Sequence, residues 1–507
     1  MANGVESELK FLFSPEALPA VRTALRRDAK GSVERKRLVS HYFDTADDYL
    51  WRRAITLRIR NDGDESTQTI KREKPSALER DEFETETKSN APDLAAIQDA
   101  PLSRLFKKSK VRNGLRCNLN VEVERETSTV MLDRSEIETA LDIGEIESNG
   151  HALHFSELEL ELKRGSRDAL FELASALCAG APITLSLVSK AERGHLLAAG
   201  AWGRAFKGHL PQLKKRMNCA EAFELVCHAC LHDFLLNLQA LRGADRVEAV
   251  HQGRVALRRL RAALQLFKPI VEDPDYERLD DELKWIAHVF GEARDLDVFQ
   301  ESAFEPAARG GACPGARQLA DLTEARRNEA HDAANAAVDS ARLRLIVVDL
   351  AAWIENGSWR QPERIDWRQP IGRFASDALR KRLRKFVESA RNLPDLDPAQ
   401  QHKVRIKSKK LRYMAGFFKN APRLVSERKP LRRLLQRLEQ MQNCLGLLHD
   451  EQAKVEFLTQ EIGRLPPGTD PMVAYAAGRI AQPSAGADER LALAVDAYRD
   501  VARMRPF

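Results

Sequence analysis

A chain of 507 residues is too long for one compact core, and at roughly 150 residues per domain it calls for two to four units. A formal net charge of only +6 with 31% charged residues means that charges of both signs are arranged locally, and 43% hydrophobic content is enough to bury cores. No apolar run of about 18 residues spans a bilayer, the N-terminus lacks a signal-like pattern, and seven cysteines make no dense disulfide framework, so a soluble cytoplasmic protein is expected.

In chain order, residues 1 to about 200 read as mixed strand and helix. Strand-like runs fall at Glu6 to Lys10, Leu38 to Asp44, Ile55 to Arg60, Gln68 to Lys71, Glu82 to Glu86, Leu119 to Arg125, Ala140 to Ile146 and Phe155 to Lys163. Helices are expected at Pro15 to Asp28, Arg167 to Cys178 and Lys190 to Ala199. Short connections favour an antiparallel sheet. Residues 201–218, with Gly203, Gly208, Pro211 and the basic Lys214-Lys215-Arg216, suit an exposed connector. From there to residue 507 the spacing of apolar residues predicts an all-α region, broken by loops at Pro306 to Gly315 and Pro466 to Pro471. Cys227-x-x-Cys230 sits with Phe223, Val226 and Phe234 on one apolar stripe, which predicts a buried core face rather than a zinc or haem site.

The first half repeats one device. Glu6, Glu8 and Lys10 share a strand face, as do Glu157, Glu159, Glu161 and Lys163, whose alternating leucines would face a helix layer. Arg58 and Arg60 share another, with Lys71 on the next strand. Carboxylates mixed with Lys and Arg suit a metal-bound polyanion, because oxygen ligands hold Mg²⁺ or Mn²⁺ while guanidinium and ammonium groups hold phosphate oxygens. The bland alternative is a solvated polar sheet face.

Taken in order, Glu6-x-Glu8-x-Lys10, Tyr42-Phe43-Asp44-Thr45, Leu57-Arg58-Ile59-Arg60, Lys71, Arg80-x-Glu82-x-Glu84, Asp142-x-Gly144-Glu145-Ile146, the Glu157 to Lys163 strand and Ser189-Lys190-x-x-Arg193-Gly194 resemble a CYTH domain over residues 1–200. The resemblance implies a triphosphate tunnel metalloenzyme: a closed antiparallel barrel of about eight strands lined by charge. It makes Glu6, Glu8, Glu159 and Glu161 metal ligands, with Glu157 the competing choice in that register. Lys10, Arg58, Arg60, Lys71, Arg125 and Lys190 become triphosphate clamps. Glu82, Glu84 and Asp142 either orient water or a second metal, or pair with Arg60 or Lys71. The family includes adenylate cyclases and thiamine triphosphatases; the scarcity of aromatics near these motifs favours inorganic tripolyphosphate, cleaved to pyrophosphate and phosphate.

The second half contains an internal repeat. His251-x-x-Arg254-x-x-x-Arg258-Arg259-x-Arg261 matches His402-x-x-Arg405-x-x-x-Lys409-Lys410-x-Arg412, and about forty residues later Phe290-Gly291-Glu292-Ala293-Arg294-Asp295 matches Leu445-Gly446-Leu447-Leu448-His449-Asp450. Each first segment puts like charges on one helical stripe, which asks for an anionic ligand or for acids on neighbouring helices. Residues 219–507 resemble a CHAD domain. That resemblance implies two pseudo-symmetric helical bundles whose basic surfaces bind inorganic polyphosphate, and with it association with polyphosphate granules. His251 and His402 lie among cations, which disfavours a metal ion there. Nucleic acid is disfavoured because only Tyr413 could stack on a base; a structural scaffold is the remaining alternative.

Overall fold

The computed structural model describes residues 3–74, 76, 78–301, 314–361, 364, 366–419, 428–465, 467–482 and 486–504. Pro306 and Pro466, expected in loops, lie outside the described residues. By internal packing the chain divides into two units: residues 1–207 with 231–249 and 337–358, and residues 208–230 with 250–336 and 359–507. Among the described residues, no helix is long and apolar enough to cross a membrane.

The first unit is built on β1 (Asn3–Phe13), β2 (Ala29–Asp44), β3 (Ile55–Asp62), β4 (Glu65–Glu73), β5 (Glu79–Thr87), β6 (Arg116–Leu132), β7 (Ser135–Ser148) and β8 (His151–Arg164). They pair antiparallel in the order β5-β4-β3-β2-β6-β7-β8-β1, and β1 pairs back onto β5, so the sheet closes into an eight-stranded barrel. A short strand β9 (Thr184–Ser186) adds to β1 outside the closed ring. Every strand run expected from the sequence is present. Asn149 and Gly150, both left-handed, turn β7 into β8, the pairing of residues that a two-residue hairpin needs.

The period of two sorts this barrel inside out. On β8, Leu158 and Leu160 point outward and are wholly buried, while the glutamates between them face inward. Helix α4 (Arg167–Gly180) covers that outer face with Leu170, Phe171, Leu173, Ala174 and Leu177, and packs on α1 (Leu18–Asp28). Each such side chain contributes about 1.5–3 kcal/mol by leaving water. Two short helices that the sequence did not signal, α2 (Ala100–Phe106) and α3 (Ser109–Arg112), bring Leu102, Phe106 and Val111 against Leu57 and Ile70 of β3 and β4. Helix α5 (Lys190–Ala198), capped by Ser189, lies over β6, β7 and β8.

The helical region comprises α6 (Cys219–Ala240), α7 (Arg246–Val271), α8 (Tyr276–Phe299), α9 (Ala316–Asp339), α10 (Ala341–Asn356), α11 (Ile371–Ser389), α12 (Pro398–Phe417), α13 (Arg428–Gly463), α14 (Pro471–Ile480) and α15 (Ala487–Ala502). Asp397 and Gln400 cap α12 reciprocally, each side chain accepting from the other's backbone N–H. Phe223, Val226, Cys227, Cys230 and Phe234 are all buried, as their spacing on α6 predicted. Residues 231–249 and α10 belong to the barrel's unit: Arg344 donates to the Cys178 carbonyl at 3.2 Å, and Asn356 to Asp168 at 3.1 Å.

Gly194 shows how closely α5 is seated. A Cβ there would stand 2.4 Å from Cδ1 of buried Leu119 on β6. Gly194→Ala should therefore cost about 1–3 kcal/mol in urea unfolding, as an overpacked core does. Gly180→Ala, whose Cβ would meet only the Ala24 methyl at 4.0 Å, should be close to neutral.

Candidate functional site

The inward faces enclose a chamber of about 370 Å³. It is lined by Glu6, Glu8, Glu73, Glu82, Glu84, Glu138, Glu159 and Glu161 and by Lys10, Arg58, Arg60, Lys71, Arg80, Arg125, Lys163 and Lys190. Eight acids against eight bases leave the lining close to neutral, so pairing decides which charges remain available.

The carboxylates at the rear of the chamber are all paired. Asp142 and Glu157 have no exposure to solvent. Arg125 grips Asp142 with two N–H groups at 2.6 Å and reaches Glu159 at 2.6 Å. Lys190, from the first turn of α5, bonds Asp142 at 2.9 Å, Glu159 at 2.8 Å and Glu157, which also accepts from Arg193. Burial alone would lower the Arg125 and Lys190 pKa values, but these carboxylates carry both well above their ordinary range. Asp142, Glu157 and Glu159 can bring oxygens within 4.8 Å of one another, a spacing a metal ion could use, yet the three are held by Arg125, Lys190 and Arg193.

The front is acid-rich. Glu8 and Glu161 stand opposite each other on β1 and β8. Burial pushes the Glu161 carboxyl up; Lys163 opposes this, and the charges of Glu6 and Glu8 add to it. Among the described residues, Glu6, Glu8 and Glu161 do not bring three oxygens within 4.8 Å of one another as Asp142, Glu157 and Glu159 do. Their present partners are amines and one guanidinium: Lys71 on Glu6 at 2.7 Å, Arg80 on Glu8 at 3.1 Å, Lys10 on Glu8, and Lys163 on Glu161 at 2.8 Å. Lys71 also reaches Glu82 at 3.1 Å, and Glu84 accepts from Thr69 at 3.2 Å.

Arg58 and Arg60 break the pattern. Among the described residues neither has a carboxylate within ion-pair distance: Arg58 donates to the Thr69 hydroxyl at 3.1 Å and keeps a buried Nε with no partner, and Arg60 reaches only Ser40, at 3.4 Å. Burial, then repulsion from Arg58 and Arg125, pulls Arg60 down to about 10. Beside them, burial would raise the Tyr42 phenol, but Arg58, Arg60 and Lys190 hold it below its usual value. Burial would lower Arg58 too, but Tyr42, Glu82 and Glu84 outweigh it and raise that guanidinium, so Arg60 is the lining cation whose charge the wall answers least.

In the second unit the two basic stripes line one cavity of about 1170 Å³, with His251, Arg254, Arg258 and Arg261 from α7 and His402, Arg405, Lys409 and Lys410 from α12. Arg412 lines a neighbouring cavity of about 1050 Å³ with Arg259, which donates to the Gly208 carbonyl at 3.0 Å. The repeat has a structural meaning. Arg254 lies over Gly291 of α8, bonding its carbonyl at 2.7 Å and Asp295 at 2.9 Å, and Arg405 lies over Gly446 of α13, with Asp450 at 3.5 Å. Arg261 donates to Asp280 at 3.2 Å and Arg412 to Gln442 at 2.7 Å. Acids and amides on neighbouring helices thus answer part of each stripe. Arg258, Lys409 and Lys410 have no carboxylate partner among the described residues. Burial, then Arg405 and Arg258, pull the Lys409 amine down to about 7. His402 and His449 touch with ring centroids 3.9 Å apart and planes tilted by 40°, and burial followed by His402, Arg405 and Lys409 depresses His449 to about 4.

Residues 5–195 match the CYTH domain family, and residues 226–459 match the CHAD domain family. The chain carries a CYTH domain followed by a CHAD domain. An inorganic triphosphatase from Haemophilus influenzae is 28% identical over 204 residues, 38% of this chain and 55% of that protein. The chain thus matches about half the length of that curated relative. The crystal structure of the CHAD domain from the plant Ricinus communis is similar at 27% identity and a TM-score of 0.50, over 59% of this chain and 97% of that one. A crystal structure of an inorganic triphosphatase is similar at 20% identity and a TM-score of 0.15, over 33% of this chain and 78% of that one.

Within the CYTH domain, every residue singled out from the sequence lines the chamber except Glu157 and Asp142, which form its buried rear support. Sequence reasoning quoted Arg80, Lys163 and Arg193 within motifs without giving them a role, and passed over Glu73 and Glu138. Arg80 had a signal, since it alternates with Glu82 and Glu84 on β5.

The two kinds of buried arginine should behave oppositely. Arg125→Met would take three hydrogen bonds from Asp142 and Glu159, leaving Lys190 to hold both, and should cost about 3–5 kcal/mol in chemical unfolding. Arg60→Met, which removes a charge held without a carboxylate partner, should leave the stability of the ligand-free protein unchanged or higher. Equal losses in both variants would mean that Arg60 is a structural cation.

Proposed function

We propose that the CYTH domain, about residues 1–200, hydrolyses inorganic tripolyphosphate to pyrophosphate and phosphate, and that the CHAD domain, about residues 219–507 beyond a connector at 201–218, binds inorganic polyphosphate. One observation carries the first part: Arg58 and Arg60 stand inside a charged chamber with no carboxylate in ion-pair distance, so an anion can pair with both. A linear triphosphate supplies several such charges in a shape a barrel interior can enclose.

In this reading Arg58 and Arg60 bind the triphosphate directly, Lys10, Lys71 and Arg125, already fixed by their carboxylates, offer their remaining N–H groups at known positions, and Lys190, whose three N–H groups go to Asp142, Glu157 and Glu159, contributes its charge. Such prearranged donors stabilise charge as it develops on phosphate oxygens without reorganising at that moment. Glu6, Glu8 and Glu161, with Glu159 beside them, are the residues that would hold Mg²⁺ or Mn²⁺. A bound divalent ion would neutralise phosphate oxygens and favour attack by water. Hydrolysis forms one bond from water oxygen to phosphorus, breaks one phosphoanhydride bond and releases the water's proton, which the adjoining Glu82 or Glu84 can accept.

A second reading, an organic triphosphate, has one observation in its favour. A cavity of about 440 Å³ shares Tyr42, Thr56 and Ala191 with the chamber and contains Trp51 stacked on His195 at 4.6 Å. Assaying phosphate, pyrophosphate and cyclic AMP from tripolyphosphate, ATP and thiamine triphosphate separates the readings. Preferred turnover of ATP or thiamine triphosphate would replace the inorganic assignment.

Glu6→Gln with Glu8→Gln should lower tripolyphosphate turnover at least about a hundredfold while circular dichroism is unchanged, because neutral amides are poor ligands for a hard cation. Near-normal turnover in the folded double variant would remove these two glutamates from the site. For the CHAD domain, Arg258, Lys409 and Lys410 to Glu should abolish long-chain polyphosphate binding and spare tripolyphosphate hydrolysis. A polyanion should also restore the proton on Lys409, so binding at pH 8 should take up a proton in calorimetry and weaken as pH rises above about 7. Lys409→Arg should flatten that dependence; an unchanged pH profile would exclude Lys409 as a contact.

A further inference from the structure

His232 lies on α6, beyond the residues that match the CYTH family, yet it belongs to the barrel's unit. Its Nε2 is 2.8 Å from an oxygen of Glu192, its Nδ1 faces Asp233 at 3.8 Å, and the edge of Phe206 closes over it with ring centroids 6.0 Å apart. Burial would lower the imidazole, but Glu192 and Asp233 outweigh it and raise it to about 10, so the ring is a cation at neutral pH and donates to Glu192.

Glu192 occupies a particular place. It sits in the first turn of α5 between Lys190 and Arg193, the two cations that converge on Glu157, and its backbone N–H is held by the Ser189 cap at 3.1 Å. Close to this point, Glu73 lines the chamber and is influenced by both Glu192 and His232. A second strut comes from α10, where Glu355 accepts from the Ser76 hydroxyl at 2.8 Å, and Ser76 in turn accepts from the Leu78 and Glu79 N–H groups at the start of β5. Segments outside the CYTH match therefore brace two parts of the chamber wall.

We infer that His232 is a positioning residue of the triphosphate chamber, holding the first turn of α5 through Glu192 so that Lys190 stays among Asp142, Glu157 and Glu159. This rests on the chamber being the triphosphate site. Lys190 is a binding group whose location, rather than chemistry, depends on His232, so loosening it weakens capture of substrate more than the bond-breaking step.

The test uses the full chain. His232→Ala should raise KM for tripolyphosphate about tenfold with kcat within about threefold, and should speed amide hydrogen exchange in residues 189–199. Glu192→Gln, nearly isosteric and kept as the second variant should His232→Ala fold poorly, should do the same. The double variant should be no worse than either single one, as expected of a coupled pair. His232→Lys should recover most of the loss by restoring a cation. A lowered melting temperature with KM and α5 exchange unchanged would make His232 merely structural and overturn the inference. A wild-type chain that does not turn over tripolyphosphate would instead overturn the functional reading, and this inference with it.

Discussion

A charge taken out of water costs several kcal/mol unless a partner of opposite sign stands within hydrogen-bond reach. The interior of this barrel is organised around that constraint. Arg125 and Lys190 bind Asp142, Glu157 and Glu159 into one network, and because each cation serves more than one carboxylate, no member can move alone. Three strands and one helix are tied together by it: Arg125 comes from β6, Asp142 from β7, the glutamates from β8 and Lys190 from α5. The network joins the rear of the chamber, and among the described lining residues Arg58 and Arg60 are the cations without a carboxylate in ion-pair distance.

Such an interior cannot supply the apolar core that a small barrel usually packs inside. The outward faces do so instead, and the short helices around the barrel exist to cover them. Leu158 and Leu160 under α4, and Leu57 and Ile70 under α2 and α3, are the counterparts of the inward glutamates and arginines on the same strands. Gly194 is needed for the same reason, since it lets α5 lie close enough to β6 for Lys190 to enter the chamber.

Much of this was legible in the sequence because strand geometry converts alternation directly into a choice of face. Once Glu6, Glu8 and Lys10 are placed on a strand they must point together, and the structure places all three in the chamber. Partners were not legible. Nothing in the spacing shows that Glu157 is taken by Lys190 and Arg193, that Arg80 bonds Glu8, or that Arg254 and Arg405 rest over Gly291 and Gly446 while Arg258 and Lys409 do not. Pairing depends on which strands become neighbours, and the closing contact of β1 with β5 joins residues more than seventy positions apart. The membership of residues 231–249 and 337–358 in the barrel's unit was hidden for a related reason, because their helical periodicity is the same whichever unit they pack in.

The central claim is that Arg58 and Arg60 are held without carboxylates because a phosphate chain takes that place. A crystal structure of the full chain grown with tripolyphosphate tests it most directly. The account predicts phosphate oxygens inside the barrel at about 2.7–3.1 Å from both guanidinium groups. A chamber without phosphate, or Arg58 and Arg60 turned onto carboxylates of the wall while the anion binds elsewhere, would contradict it.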